Sequence, residues 1–165
     1  MKILVLSDSH SGMRFMRQAI RKLRPDAVIH LGDYYDDGET LSEEYPDLPF
    51  HIVMGNCDLY RTYGIHPERL CYDVCGVRLY MTHGHIHHVK SGLYSLLKDA
   101  RASGAAAALY GHTHEAYCVR EDDGMWVLNP GACGNAGGSV GLIETNGNEI
   151  LSCRIIRLTE LEEFE

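Results

Sequence analysis

The chain has 165 residues, 45% hydrophobic and 23% charged, which suits one folded globular domain, residues 1–165, and excludes a disordered chain. Its net charge of −8 disfavours binding to a nucleic-acid polymer, because the phosphate backbone is itself negative. The longest apolar runs are far shorter than the ~20 residues that span a bilayer, and no export signal follows Met1, so we expect a cytoplasmic protein without a membrane segment.

Short apolar runs alternate with polar loops in the first half of the chain. Residues 2–7, 27–31 and 50–54 are predicted to form buried strands, and polar residues follow each of them directly. Apolar side chains recur at helical spacing over residues 13–23, which predicts a helix that ends before Pro25. The alternation of strand and helix is typical of an α/β fold.

The second half of the chain is richer in predicted strands. A strand over residues 77–81 precedes a helix over residues 92–101, for which Ser91 is the expected N-cap, and residues 105–110 form another buried strand. Four short strands are then predicted over residues 115–120, 125–128, 140–144 and 150–158, with turns at Gly124 and Gly147 between them. We therefore expect a sheet system with an antiparallel portion.

Oxygen and imidazole side chains follow five of the predicted strands. They are Asp8 with His10, Asp33, Asn56, His83, and His112 with His114. This mixture of ligand types suits Mn, Fe, Zn, Co or Ni better than a thiolate-bound structural zinc. Glycines beside these residues, at positions 32, 55, 84 and 111, allow several loops to approach one small volume. His30, His51 and His66 lack such partners and are expected to be ordinary core or surface histidines.

The order of these blocks resembles that of the calcineurin-like metallophosphoesterases, specifically their small bacterial and archaeal phosphodiesterases. The matching blocks are Asp8-Ser9-His10, Gly32-Asp33, Gly55-Asn56-Cys57-Asp58, His83-Gly84-His85, Gly111-His112-Thr113-His114 and Asn129-Pro130-Gly131. The resemblance covers nearly the whole chain. It implies a four-layer αββα sandwich of two mixed β-sheets flanked by helices, with metal ions at strand ends on one edge.

The resemblance also implies a ligand set for two divalent metal ions. Asp8, His10, Asp33 and His114 hold one ion, and Asp33, Asn56, His83 and His112 hold the other, so that Asp33 bridges the pair. Mn²⁺ is the expected metal, with Zn²⁺, Fe²⁺, Ni²⁺ and Co²⁺ as alternatives. The implied activity is that of a dinuclear phosphodiesterase, in which a metal-bridging hydroxide attacks the phosphorus of a small phosphodiester.

Asp33, Asn56, Cys57 and His85 are the candidate catalytic residues. Many relatives have a histidine at the position of Cys57, which is here either a weak proton donor to the leaving group or a small space-filling residue. His85 is the other candidate acid, unless it only hydrogen-bonds to the surroundings of a ligand. We place His87 and His88 at the rim of the site, and the substrate entrance is expected among Tyr34, Tyr35, Asp36, Asp37, Tyr60 and Tyr63.

Two alternative functions remain compatible with this pattern. The same metal ions could serve a phosphomonoesterase or a pyrophosphatase. A non-catalytic protein-binding scaffold is the other alternative, because a eukaryotic retromer subunit shares the fold that the resemblance implies. All seven ligand positions are filled, which favours an enzyme. The pattern specifies neither the natural substrate nor an oligomeric state.

Overall fold

A computed structural model describes residues 1–62 and 64–162 of the chain, excluding the side chain of residue 162. Its elements in chain order are β1 (Lys2–Leu6), α1 (Met13–Leu23), β2 (Ala27–His30), α2 (Tyr35–Glu44), β3 (Phe50–Ile52), β4 (Arg69–Val74), β5 (Val77–Thr82), α3 (Tyr94–Ala102), β6 (Ala107–Leu109), β7 (Tyr117–Arg120), β8 (Trp126–Asn129), β9 (Ser139–Thr145), β10 (Ile150–Arg157) and α4 (Leu158–Glu162). Short 3-10 helices cover Asn56–Tyr60, His85–His87 and Val89–Ser91. None of the helices in the described ranges is both long and apolar enough to cross a membrane.

The strands form two five-stranded sheets, in the orders β10-β9-β1-β2-β3 and β4-β5-β6-β8-β7. In the first sheet β1, β2 and β3 run parallel, and β9 and β10 are antiparallel neighbours. In the second sheet β5, β6 and β8 run parallel, whereas β4 and β7 are antiparallel at its edges. Both sheets are therefore mixed.

Alternation of side chains along each strand builds the layers. In β1, Ile3 and Val5 join an apolar cluster between the two sheets, whereas Leu4 and Leu6 join a cluster with residues of α1, α2 and α4. On the other side, Leu79 of β5 faces the first sheet and Tyr80 packs with residues of α3. The result is the four-layer αββα sandwich that the family resemblance implies, and this prediction is confirmed.

Among the strands and α-helices, three were not anticipated from the sequence. They are the acidic helix α2, the strand β4 and the short helix α4. Because α4 begins at Leu158, the last strand ends at Arg157, one residue before its predicted end. The predicted helix cap at Ser91 is wrong. Ser91 belongs to a 3-10 helix, and α3 starts after Leu93 without a capping side chain.

The topology positions the predicted functional loops. Parallel strands β1, β2 and β3 deliver the loops of Asp8, Asp33 and Asn56 at one edge of the first sheet. Parallel strands β5 and β6 deliver the loops of His83 and His112 at an edge of the second. Carboxyl ends of parallel strands are where open α/β sheets bind ligands.

Candidate metal centre

The loops that carry the predicted ligands have an unusual backbone. Five of these residues adopt positive φ angles between 43° and 69°: Asp8, His10, Asp33, His112 and His114. Asp and His enter this left-handed region more readily than most residues, at a cost of about 1–3 kcal/mol each. Backbone strain of this kind collects at functional sites, where the surrounding structure holds it.

Two glycines allow these loops to approach one another. A β-carbon added at Gly55 would overlap Oδ1 of Asp33, and one added at Gly111 would overlap Oγ of Ser7 and lie 2.9 Å from Oδ2 of Asp8. Any larger residue at either position would therefore displace a predicted metal ligand or its support. This agrees with the role that the sequence suggested for these glycines.

Four predicted ligands form one tight cluster. One ligand atom from each of Asp8, His10, Asp33 and His114 lies within 4.8 Å of the others. Asp8 and Asp33 are buried, whereas the His114 side chain is half exposed. The cluster therefore has buried carboxylates at its base and imidazole groups on the side that faces solvent.

The remaining predicted ligands lie against the same carboxylates. Nε2 of His83 is 3.4 Å from Oδ2 of Asp33 and 3.8 Å from Oδ1 of Asp8. The rings of His83 and His112 are 5.1 Å apart between centroids. Asn56 begins a short helix whose next residue, Cys57, donates its N–H to Oδ1 of Asp33 at 3.0 Å. Six of the seven side chains thus meet around one small volume, and the Asn56 loop reaches it through the Cys57 N–H.

Three buried atoms of this group have no hydrogen-bond partner among the described residues: Oδ1 of Asp8, Oδ1 of Asn56 and Nε2 of His83. An unpaired buried polar atom costs about 1–3 kcal/mol, so such atoms indicate a missing partner. Nδ1 of His83 lies 2.8 Å from the carbonyl oxygen of Leu31. Because a carbonyl can only accept, Nδ1 carries a proton, and Nε2 is the ring nitrogen that faces the carboxylates. The donor set fits a divalent cation.

The electrostatics of the site also favour positive charge. Burial would raise the pKa of Asp33, but the His83 imidazole and the Cys57 N–H hold it well below its ordinary value. Burial would lower the pKa of His83, but Asp33 and Asp8 raise it. The Asp33 carboxylate therefore stays ionised and contributes a negative charge to the buried volume.

Asp58 supports the site in a way that sequence reasoning missed. Its buried carboxylate accepts four backbone N–H groups at 2.7–3.0 Å, from Asp33, Tyr34, Tyr35 and Gly55. It therefore joins the Asp33 loop, the start of α2 and the Asn56 loop. The only signal in the sequence is an acid two residues after Asn56.

A buried polar chain holds the Asp8 loop against the Asp33 loop. Gly32 donates its N–H to Nδ1 of His30, whose Nε2 lies 2.9 Å from Oγ of Ser9, and Ser9 donates to Asp37 at 2.7 Å. Burial lowers the pKa of His30 to about 4, so this imidazole is neutral at physiological pH. His30 is thus a core histidine with satisfied hydrogen bonds, as the sequence suggested.

Asn129 anchors the loop of the last two histidines. Its Nδ2 donates to the carbonyl of Gly111 at 3.1 Å and to Oγ1 of Thr113 at 2.9 Å, and its Oδ1 accepts the Gly131 N–H at 2.9 Å. This gives a structural reason for the Asn129-Pro130-Gly131 block. Its side chain joins β8 to the loop between His112 and His114.

The two candidate acids have different surroundings. Cys57 is exposed, and desolvation of its sulfur together with the Asp33 carboxylate raises its pKa to about 11. His85 is largely buried, with Nε2 3.3 Å from Oε1 of Glu68 and Nδ1 without a hydrogen bond among the described residues. Its ring centroid is 5.6 Å from that of His83. The contact with Glu68 has no signal in the sequence.

Several residues predicted at the rim or entrance lie elsewhere. His87 is 3% exposed and contacts Tyr80 and Asp99, so its placement at the rim was wrong. Tyr35 and Asp37 are buried and do not form an entrance.

The other residues of that group lie at the surface or outside the described ranges. Tyr34 does flank the centre, with its ring 4.9 Å from that of His10 and the Arg61 guanidinium 3.6 Å above it. Asp36 is paired with Arg61 at 3.1 Å, and His88 and Tyr60 are exposed. Tyr63 lies outside the described residues.

Comparison with known proteins gives three informative similarities besides a family match. The family model described as the calcineurin-like phosphoesterase superfamily domain matches residues 1–148. The probable metallophosphoesterase YsnB of Bacillus subtilis is 33% identical over 138 residues, covering 80% of this chain and 75% of its own. Phosphodiesterase MJ0936 of Methanocaldococcus jannaschii is 31% identical, covering 90% of this chain and 96% of its own. The zinc complex of Vps29 from Entamoeba histolytica shares the fold, with a TM-score of 0.71 at 19% identity, covering 96% of this chain and 100% of that one.

Proposed function

Because the chain belongs to the calcineurin-like phosphoesterase superfamily, we propose that it is a metal-dependent phosphodiesterase that hydrolyses a small phosphodiester. The observation that carries the proposal is a group of three buried atoms, on Asp8, Asn56 and His83, that have no hydrogen bond among the described residues and lie beside the Asp33 carboxylate, whose pKa is held low. Packing alone does not account for such atoms, since each lacks a hydrogen bond that water would provide in the unfolded chain.

The ligand assignment is the one that the family resemblance implies. Asp8, His10, Asp33 and His114 would hold one divalent ion, and Asp33, Asn56, His83 and His112 a second. Asp33 is the shared ligand because a carboxylate has two oxygens and a charge, which an imidazole lacks. Mn²⁺ is the proposed native metal, since carboxylate, amide and imidazole donors suit it without thiolate ligands. Two such ions, when bound, supply Lewis acidity at the phosphoryl oxygens and lower the pKa of water towards neutrality.

The chain's own residues then bind and orient the substrate. The two carboxylates contribute −2 against the +4 of two divalent ions, so the loaded site is positive in an acidic protein and attracts a phosphate group. The buried supports, Asp58 and Asn129, fix the loops beneath the ligands, which limits reorganisation during the reaction.

Cys57 is the proposed proton donor to the leaving group. Its raised pKa of about 11 keeps the thiol protonated at neutral pH, and its side chain is exposed beside the Asn56 loop. His85 is the alternative donor, although its Nε2 faces the Glu68 carboxylate. A thiol is a weak acid, so diesters with good leaving groups are expected to react fastest.

The test compares bis-p-nitrophenyl phosphate with p-nitrophenyl phosphate, using protein stripped of metal and reloaded with Mn²⁺. We expect kcat/KM to be higher for the diester and to disappear on metal removal. His83→Ala should abolish turnover, whereas His51→Ala, which alters a histidine bonded to Tyr72, should keep it. A preference for the monoester would instead indicate a phosphomonoesterase.

A non-catalytic protein-binding scaffold is the second candidate, favoured by the fold shared with Vps29 at 19% identity. Protein that holds two metal ions per chain and hydrolyses no phosphate ester would support that candidate. The filled ligand positions and the 31% identity to a phosphodiesterase favour catalysis.

A further inference from the structure

A groove of about 350 Å³ opens beside His114, a member of the tight ligand cluster. Its walls come from the segment after His114, the loop between β8 and β9, and the end of β10 with Ile155 and Arg157. Because a proposed metal ligand forms part of its wall, the groove borders the metal centre at His114. The groove can therefore receive an ester group that is attached to a phosphate at the metal centre.

The loop between β8 and β9 is held firmly at both sides of this groove. A β-carbon at Gly134 would lie 2.6 Å from the carbonyl oxygen of Ser9, so this glycine packs directly on the Asp8 loop. At the other side, the N–H of Leu158 donates to the carbonyl of Gly138 at 3.0 Å. The groove thus has a fixed wall between the metal centre and Arg157.

The charge of the groove is opposite to that of the protein. None of the described carboxylate side chains lines it, and Arg157 is its cationic residue, although the chain carries a net charge of −8. Among the described residues, the exposed Arg157 guanidinium has no ion pair or hydrogen bond; Glu160 accepts only its backbone N–H, at 3.2 Å. Arg17 and Arg101, by contrast, are each paired with acidic side chains. Arg157 is therefore free to bind an anion.

We propose that this groove binds one ester arm of the substrate and that Arg157 binds a second phosphate group on that arm. The inference rests on the proposed phosphodiesterase activity. A simple phosphodiester carries one negative charge, which the metal centre would take up, leaving Arg157 without a partner. A guanidinium binds phosphate through two parallel hydrogen bonds, so a substrate with a second phosphate satisfies both charges.

Two probes that differ by one phosphate test this directly: thymidine 5′-(p-nitrophenyl phosphate) and its 3′-phosphorylated form. We expect wild-type kcat/KM to be higher for the 3′-phosphorylated probe by about tenfold or more, mainly through KM. Arg157→Gln should lower this ratio by about tenfold while changing kcat/KM for the simple probe less than about threefold. Arg157→Lys should retain part of the ratio, because the charge remains without the planar fork.

Arg154→Gln is the matched control. Arg154 is exposed on the same strand, but it alternates with Ile155 and so lies on the other face of β10 from Arg157. Its replacement removes the same charge from the protein and should leave the ratio unchanged. If Arg154→Gln lowers the ratio of kcat/KM between the two probes as much as Arg157→Gln does, only the overall charge of the protein matters. This result would overturn the proposal.

Two further outcomes decide the inference independently of the proposed function. Equal kcat/KM for both probes in the wild type, or an equal loss for both in Arg157→Gln, overturns the inference while the phosphodiesterase activity stands. Should neither probe react, the proposed function fails. Calorimetry with Mn²⁺-loaded protein then compares thymidine 3′,5′-bisphosphate with thymidine 5′-monophosphate. Arg157→Gln must raise the Kd of the bisphosphate about tenfold more than that of the monophosphate. An equal effect on both Kd values refutes the groove assignment.

Discussion

Replacement of Asp33 by Asn isolates the charge of the proposed shared ligand. Asparagine keeps the shape of the side chain and the Oδ1 acceptor, which takes the Cys57 N–H at 3.0 Å. It removes the negative charge that faces Nε2 of His83 at 3.4 Å. The variant therefore changes the electrostatics of the centre while leaving its packing in place.

The expected size of the effect follows from these contacts. Asp33→Asn reduces the negative charge of the ligand set from −2 to −1. Removing groups that merely orient a metal ligand already costs about 10–100-fold in affinity, so loss of a shared ligand should weaken Mn²⁺ binding by more than about 100-fold. Turnover of the diester should fall by more than about 1,000-fold, because both ions lose a ligand. The metal-free protein should lose only about 1 kcal/mol of unfolding free energy, the difference between a charged and a neutral hydrogen bond.

Calorimetry with Mn²⁺, hydrolysis of bis-p-nitrophenyl phosphate and urea unfolding of the metal-free protein measure these three quantities. Asp73→Asn is the control, since Asp73 is an exposed carboxylate on β4, 3.8 Å from Arg78. It should bind Mn²⁺ and turn over normally. Full metal content and normal turnover in Asp33→Asn would refute the assignment of Asp33 as the shared ligand.

Three other predictions concern the surroundings of the ligands. Cys57→Ala should lower kcat for the diester by about 10²–10⁴-fold if the thiol protonates the leaving group, and a loss below about tenfold in steady-state assays would show that it only fills space. Gly55→Ala should weaken Mn²⁺ binding measured by calorimetry, because the added methyl overlaps Oδ1 of Asp33; unchanged affinity would contradict this geometry. Burial lowers the pKa of His30 to about 4, so the unfolded chain binds more protons than the native protein between about pH 6.5 and 4. Urea unfolding should therefore show that the unfolding free energy falls by up to about 3 kcal/mol on acidification through that range. If the unfolding free energy of His30→Asn depends on pH to the same extent, His30 is not the source of this loss.

The strands could be predicted because their signal is local. Buried strands such as β1 and β2 are short apolar runs bounded by polar residues, and the sheet layers follow from side-chain alternation. Helix α2 has no such signal, since Tyr35 and Leu41 are its only buried large apolar residues. Its start is fixed by the Asp58 carboxylate, which accepts the N–H of Tyr35 from 23 residues away. A contact at that separation cannot be seen in a local pattern.

The same distinction applies to the site. The proposed ligands stand out in the sequence because oxygen and imidazole side chains recur after strands, beside glycines. Asp58 and Asn129 belong to the matched blocks, but their supporting roles could not be inferred, because their contacts join segments 18 to 25 residues apart in sequence. The contact between His85 and Glu68 likewise depends on how the loop before β4 packs against the loop after β5. Residue types and their places in the sequence thus indicate the candidate ligands, whereas the contacts that position these ligands emerge only from the fold.

Anomalous diffraction at the manganese edge, from crystals of Mn²⁺-loaded protein, measures the positions of the ions directly. We predict two peaks about 3.5–4 Å apart, with Asp33 in contact with both and the side chains of Asn56 and His114 on opposite sides of the pair. A single peak, no peak at this edge of the sheets, or two peaks that share no carboxylate would contradict the proposed centre.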